Sequence, residues 1–474
     1  MSIFINRIKE LEFLERKYAS KEAEMIVIYG RRRIGKTELM LKLCEGKEAL
    51  YFIGRLESKE DIIKRFNNLI IGFFNDKHLL NSPLQNWDSI LDYIAEKADK
   101  RLIIVLDEFP FIVNRCPEIV SVLQDKWDSK LKNSKAMIIL SGSSVGMMEK
   151  YALDYKSPLY GRRTGQWKVD KMEIFHLNKF FPHYSIEDLI LVYSCLDTIP
   201  GYLSKFSSEK SLDENIAERM LSKGEFLYEE VEILLREELR DPSNYMSILS
   251  SIAGGTTTFN EINNRTSLDK SLLSKYLSIL ENLGIVERAI PITETYKSKL
   301  KAKGALYFLE DNFFDFWFRF IYLNKQEIEK GYAYDVLNNI KKDVNGYMGR
   351  KFEKFSMKIV PIIGNFNKIG KWWDKKNEID IVALNEEKKE ILFGECKWSS
   401  KINALEIVNE LSKKARYVEW MGDKRKEFFA VFAKSFSKRI EEFEGRKVYC
   451  FDLKDIADAL NNHMRPLSSK RIKV

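Results

Sequence analysis

Histidine is nearly absent from this chain and cysteine is sparse: four and five residues among 474. The cysteines (Cys44, Cys116, Cys195, Cys396, Cys450) lie far apart, with no C-x-x-C pair. That spacing excludes a disulfide framework or a thiolate zinc site and fits a reducing compartment. So few histidines exclude a histidine-based metal centre. No apolar run approaches the ~18–20 residues of a membrane span, so no membrane partner is expected. The opening MSIFINRIKELEFLE mixes both charges with apolar positions and does not read as a signal peptide; the expected location is the cytoplasm.

The chain is long enough to need two to four cores. Its positive charge is uneven. Residues 341–474 hold 30 Lys and Arg against 20 Asp and Glu, whereas the preceding 340 residues are close to neutral. A basic tail suggests an anionic partner, DNA or RNA.

The most informative stretch is MIVIYGRRRIGKT, residues 25–37. Five strand-forming residues run into Gly30-x-x-x-x-Gly35-Lys36-Thr37, and a helical segment follows. This is the P-loop pattern in its required context. Residues 30–37 (Gly30, Arg31, Arg32, Arg33, Ile34, Gly35, Lys36, Thr37) would wrap the phosphates of ATP, with backbone N–H groups and the helix N-terminus facing negative charge. Lys36 would reach the β- and γ-phosphates and Thr37 would offer its hydroxyl to Mg²⁺.

A second apolar run, RLIIVLDEFP (101–110), ends in Asp107 and Glu108. It reads as a strand buried on both faces, with carboxylates where α/β sheets bind ligands. Asp107 would hold the Mg²⁺ and Glu108 would orient or deprotonate water. A third strand, AMIILSGSS (136–144), ends in hydroxyls. Ser141, Ser143 and Ser144 either sense the γ-phosphate or cap the next helix.

These words, with FINRIKELEFLE at the start and SPLYGRRTGQ at 157–166, resemble the archaeal ATPase family, AAA-like, STAND-type P-loop ATPases often carrying a nuclease-like (DUF234-type) tail. The likeness runs along nearly the whole chain. It implies that Arg7 lies near the nucleotide and makes Arg162 or Arg163 the candidate for a γ-phosphate contact, in its own chain or a neighbour's; a nucleotide-dependent homo-oligomer stands among the candidate partners. Family members often place Gly-Gly before the proline of LDTIPGYL (196–203). Asp197, Thr198 and Ile199 stand here instead, so the resemblance gives this turn no sensing role.

Patterning divides the chain into a three-layer P-loop ATPase domain (1–170), a helical lid (171–244), a winged helix (245–324) and a C-terminal α/β domain (325–474). Strands are expected near 25–29, 49–53, 101–106, 136–140 and 166–169. In the winged helix, Lys270, Ser271, Ser274, Lys275 and Tyr276 lie on the would-be reading helix. The aromatic stripe NFFDFWFRFIYL (312–323) reads as a buried connecting helix, since little positive charge interleaves it.

The tail holds a second constellation: Glu353 on a helix, Asp380 in NEIDIVAL and Glu395-Cys396-Lys397 in EILFGECKW. Period-two alternation puts Ile391, Phe393, Glu395 and Lys397 on one strand face. Asp380 and Glu395 can meet over Mg²⁺ or Mn²⁺, with Glu353 completing the shell. Lys397 would orient water or stabilise phosphate charge. The order E…D…ExK resembles the PD-(D/E)xK, restriction-endonuclease-like fold. Trp372 and Trp373 either stack on a base or close the core. The expected function is an ATPase coupled to a metal-dependent nucleic-acid-binding, nuclease-like domain. Two alternatives stand: a STAND-type signalling or scaffold switch whose tail only recognises nucleic acid or protein, and a regulator using the winged helix.

Overall fold

The computed structural model describes residues 5–20, 22–239, 241–294 and 304–463. The chain divides into two compact units. One comprises Met1–Met172 with Ile199–Gly201; the other comprises Glu173–Thr198 and Tyr202–Val474.

The first unit is built on strands β1 (Glu24–Tyr29), β2 (Ala49–Ile53), β3 (Leu102–Asp107), β4 (Ala136–Gly142) and β5 (Gly165–Lys168). All pair in parallel, in the order β2-β3-β4-β1-β5. Parallel neighbours need crossovers, and helices such as Lys36–Cys44, Lys59–Phe74 and Trp87–Lys97 supply them. The central strands β3 and β4 are buried at every residue, as their unbroken apolar runs require. The resulting core packs Trp87, Phe66 and Phe109 beside the sheet's aliphatics. Strand β4 separates β1 from β3. The loop after β1 and the carboxylates after β3 therefore emerge at the same carboxyl edge, one strand apart.

After a short helix (Leu177–Phe180), the second unit holds helices Ile186–Leu196, Leu212–Arg219 and Phe226–Glu238. The first two open with complete capping boxes, Ser185/Asp188 and Ser211/Glu214. The winged helix follows: helices Pro242–Ala253, Phe259–Thr266 and Lys270–Asn282, then the antiparallel hairpin of β6 (Val286–Ala289) and β7 (Leu306–Leu309). On the third helix Lys270, Ser271, Ser274 and Lys275 are exposed, whereas Tyr276 packs on Tyr245, ring centroids 4.5 Å apart.

The aromatic stripe is core. Phe313, Phe314, Phe316, Trp317 and Phe318 are all buried. It is not one regular helix: an α-turn (Asn312–Phe316) gives way to a π-turn (Trp317–Ile321) and then a 3₁₀ turn (Tyr322–Asn324). Five large rings in six positions exceed one α-helical face, and the changes of winding let all of them turn inward. Helix Ala333–Met357 then ties the unit together. Its Lys351 ion-pairs with Asp315 at 2.5 Å and its Tyr347 hydroxyl donates to Ser194 O at 2.7 Å. Burial, opposed by Asp315, lowers the Lys351 pKa to about 8.

The C-terminal sheet contains β8 (Lys368–Trp373), β9 (Glu378–Asn385), β10 (Glu390–Lys397), β12 (Lys426–Ala433), β14 (Glu442–Phe443) and β15 (Arg446–Phe451). A separate two-stranded ladder joins β11 (Ile402–Asn403) and β13 (Phe436–Lys438). The large sheet is mixed. β8, β9 and β10 form an antiparallel meander; β12 and β15 continue it in parallel, with β14 antiparallel at the far edge. Helix Ala404–Ala415 covers one face through Val408, Leu411 and Ala415. Among the described residues, no helix is long and apolar enough to cross a membrane.

Candidate functional sites

The loop after β1 needs backbone shapes that few residues tolerate. Gly30 has φ of +152°, and a Cβ there would lie 2.3 Å from Val169 O; Gly35, at φ of +93°, caps helix Lys36–Cys44. With the loop so wound, the Lys36 ammonium turns back onto the carbonyls of Gly30 and Arg31, at 2.8 and 3.0 Å. It is 6% exposed, so its charge is held at the loop rather than in bulk water.

Below the loop, Thr37 Oγ1 donates to Asp107 Oδ2 at 3.0 Å, and the Tyr51 hydroxyl donates to the same oxygen at 2.8 Å. Burial and the nearby Asp107 charge raise the Tyr51 pKa, so Tyr51 stays a donor. Thr37 and Asp107 are oxygen donors of the kind that hold a hard divalent cation, and their meeting fits Mg²⁺. Glu108 has a left-handed backbone, φ of +51°. Its carboxylate accepts from Ser143 Oγ at 2.9 Å and from the Ser143 N–H at 3.3 Å. The hydroxyl cluster thus separates by role. Ser143 holds Glu108, Ser144 makes no side-chain cap, and the buried Ser141 Oγ has no hydrogen-bond partner among the described residues.

Arg7 lies against the loop. It is 5% exposed, and its Nη2 donates to Ile34 O at 2.8 Å while Nη1 pairs with Glu10 at 2.9 Å. Arg162 is turned away, paired with Asp128 at 2.9 Å. Arg163 donates to the carbonyls of Ala152 and Leu153 and lies over the Tyr160 ring. Neither arginine hydrogen-bonds the P-loop. Arg163 is near enough to act on Tyr29, whose pKa burial raises and Arg163 opposes. Sequence reasoning named the turn at Pro200-Gly201 but foresaw no contact for it. The Gly201 N–H donates to Arg33 O at 3.0 Å, and a Cβ at Gly201 would meet Arg33 Cβ at 2.7 Å. The Pro-Gly pair was the available signal.

In the C-terminal sheet, hairpin pairing of β9 and β10 brings the Cys396 N–H to Asp380 Oδ2, 2.9 Å. Asp380 lies near two other carboxylates. Burial first, then Glu353 and Glu395, pushes its pKa up to about 7. Lysines hold the other two. Glu395 pairs with Lys397 at 2.9 Å and Lys414 at 3.4 Å; Glu353 pairs with Lys371 at 2.7 Å. Burial works against the Lys397 ammonium, but Glu395 outweighs it and the pKa stays raised. The oxygen donors suit Mg²⁺ or Mn²⁺. As arranged, with lysines on two of the three carboxylates, no group of three acidic, His or Cys side chains among the described residues stands ready to hold a metal. Trp372 is buried in the domain core, which decides between its two expected roles. Lys371 and Lys414 were not anticipated; no local motif marks them, because only the sheet and the covering helix bring them to the site.

A glycine loop cradling a lysine, with a threonine and a strand-end aspartate below it on a parallel sheet, defines a P-loop ATPase. Residues 4–206 match the model described as "ATPase domain predominantly from Archaea". Residues 317–413 match "Archaea bacterial proteins of unknown function", and 246–288 match "Bacterial regulatory protein, arsR family". Uncharacterized protein MJECL04 of Methanocaldococcus jannaschii is 36% identical over 466 residues, covering 96% of this chain and all of its own length. An uncharacterized ATP-binding protein of the same organism, MJ0423, is 54% identical over 46 residues, 10% of this chain and 78% of its own. The Walker-type ATPase paby2304 of Pyrococcus abyssi shares the fold, with a TM-score of 0.53 at 20% identity over 67% of this chain and 96% of that one. The chain belongs to the archaeal ATPase family.

Proposed function

We propose that the protein hydrolyses ATP and couples that cycle to a C-terminal, metal-dependent nuclease-like domain acting on DNA or RNA. The observation that carries the first half is the convergence of Thr37 and Asp107 beneath the Lys36 loop, with Glu108 fixed by Ser143. Lys36 and the loop N–H groups bind the phosphates. Thr37 and Asp107 would hold Mg²⁺, which supplies charge neutralisation at the transferring phosphate. Glu108 orients the attacking water, and Ser141 has a hydroxyl available to the same region. Lys36→Ala should abolish hydrolysis and weaken ATP binding, whereas Glu108→Gln should stop turnover and still bind ATP. Parent-like turnover in Lys36→Ala would sink this assignment.

The second half rests on Asp380, Glu395 and Lys397 meeting at the end of β10, with Glu353 beside them. Asp380 and Glu395 would hold Mg²⁺ or Mn²⁺; Lys397 orients water or the phosphate. Plasmid and RNA cleavage by the full chain, with each cation and with or without ATP, tests it. Asp380→Ala and Lys397→Ala should remove cleavage and leave most nucleic-acid binding. A second reading is favoured by the lysines on Glu353 and Glu395: an ATP-driven switch whose tail recognises nucleic acid without cutting it. Binding without cleavage under every condition selects that reading. Loss of both binding and cleavage at low salt leaves a protein-interaction switch.

A further inference from the structure

Lys371 occupies a position that its strand alone would not give it. It sits at a bulge in the β8–β9 ladder, where the register shifts between Gly370 and Trp372. Bulges re-aim side chains. Here the ammonium bridges Glu353 Oε2 and Glu378 Oε1, both at 2.7 Å. Glu353 is 16% exposed in its side chain and Glu378 59%, so the ammonium joins a sheltered carboxylate to one facing solvent.

The bulge is held from outside the sheet. β8 is an edge strand, and the segment after β6 meets it at Lys371. The Ile292 N–H donates to Lys371 O at 2.9 Å. Gly370 permits this approach, since an added Cβ would stand 3.1 Å from Ile292 Cδ1. Ile292 also packs on the C-terminal core. The same hairpin grips the partner helix: Lys354, next to Glu353, pairs with Glu310 just after β7 at 2.6 Å. The winged-helix hairpin therefore fixes both halves of the Lys371–Glu353 pair.

We propose that Lys371 is the resident counter-cation of the C-terminal carboxylate site and that the hairpin is its latch. A hard divalent cation reaches Glu353 and Asp380 only when the ammonium leaves Glu353 for the exposed Glu378. Release of Ile292 from the bulge permits that swing. The inference rests on the metal-site reading proposed above and accounts for the Glu353 side of that site; Glu395 stays paired with Lys397 and Lys414.

The test is Mn²⁺ binding to the nucleotide-free full chain, read by the EPR signal of free Mn²⁺, with the Asp380→Ala titration subtracted. Lys371→Gln should tighten the Asp380-dependent site by about two- to fivefold, the scale of one displaced, partly exposed ion pair. Through-space attraction alone would do part of this, but it is screened over a few ångströms at ~1 M salt. The ratio should persist there. Ile292→Ala and Ile292→Pro keep every charge; both remove the Ile292 side chain from the core, and the second also removes the N–H donor. Both should tighten Mn²⁺ binding in the same direction, and retained far-UV circular dichroism establishes folding. Parent-like affinity in Lys371→Gln, or in both Ile292 variants, overturns the latch. If Lys371→Gln shows no Asp380-dependent Mn²⁺ binding at all, the metal-site reading falls with it.

Discussion

Single residues in this protein are set by what lies beside them, and Asp380 shows this most clearly. Its folded pKa of about 7 lies above the ordinary value of 3.8, through burial and the neighbouring Glu353 and Glu395 charges. Between those values the folded state keeps a proton that the unfolded chain releases. The stability this provides is complete below about pH 4 and is lost as pH rises through 7. In metal-free buffer, Asp380→Asn should therefore gain on the parent in thermal midpoint at pH 8 and much less at pH 5. Equal gaps at the two pH values would refute this origin of the shift. Arg7 is the opposite case. Its buried charge is engaged by Ile34 O and Glu10, so it ties the first helix to the phosphate loop.

At the scale of elements, the P-loop is tightly constrained. Gly30 combines a positive φ with a 2.3 Å approach to Val169 O, so a methyl group cannot be accommodated by rotamer changes. Gly30→Ala should lose on the order of 1–3 kcal/mol in denaturant unfolding and most ATP affinity. An unchanged midpoint would show that the loop relaxes away from β5. The stripe at 312–323 is equally committed, but to packing. Trp317 is fully buried and its Nε1–H donates to Tyr228 O at 2.8 Å. Trp317→Ala should cost about 3–5 kcal/mol, chiefly as an unfilled cavity. A loss below ~1 kcal/mol would place the ring outside the cooperative core.

At the scale of the whole molecule, charge and assembly are what remain to be read out. The basic tail should give nucleic-acid binding that falls steeply with salt, because lysines and arginines displace condensed counterions. A flat salt dependence of the full chain's affinity would remove the backbone-contact model. Arg162 and Arg163 belong here too, since neither bonds its own P-loop. If one completes a neighbour's site, its alanine variant should lose turnover in a way that depends on protein concentration. The best-attested arginines of this kind contribute about 10³–10⁵ in rate. Normal turnover in both variants at every concentration excludes the role.

Much of this was legible in the sequence. Periodicity and the P-loop glycines marked β1, β3, β4 and the nucleotide loop, because phosphate binding needs a local backbone shape that short range can encode. The E…D…ExK order singled out Glu353, Asp380, Glu395 and Lys397, whose role as a metal site is the proposal made above. The winged helix was readable as helices, turn and hairpin. What only the tertiary structure decided are pairings between distant segments. They include Tyr51 on Asp107, Gly201 on Arg33, Arg7 on Ile34 and Lys371 between Glu353 and Glu378. They also include which hydroxyl of 141–144 holds Glu108. Such contacts depend on strand order and on a bulge that no local propensity specifies. The sequence by itself determined that the chain carries a P-loop on a parallel sheet, because that backbone shape is encoded locally; the fold determined which distant side chains meet around it.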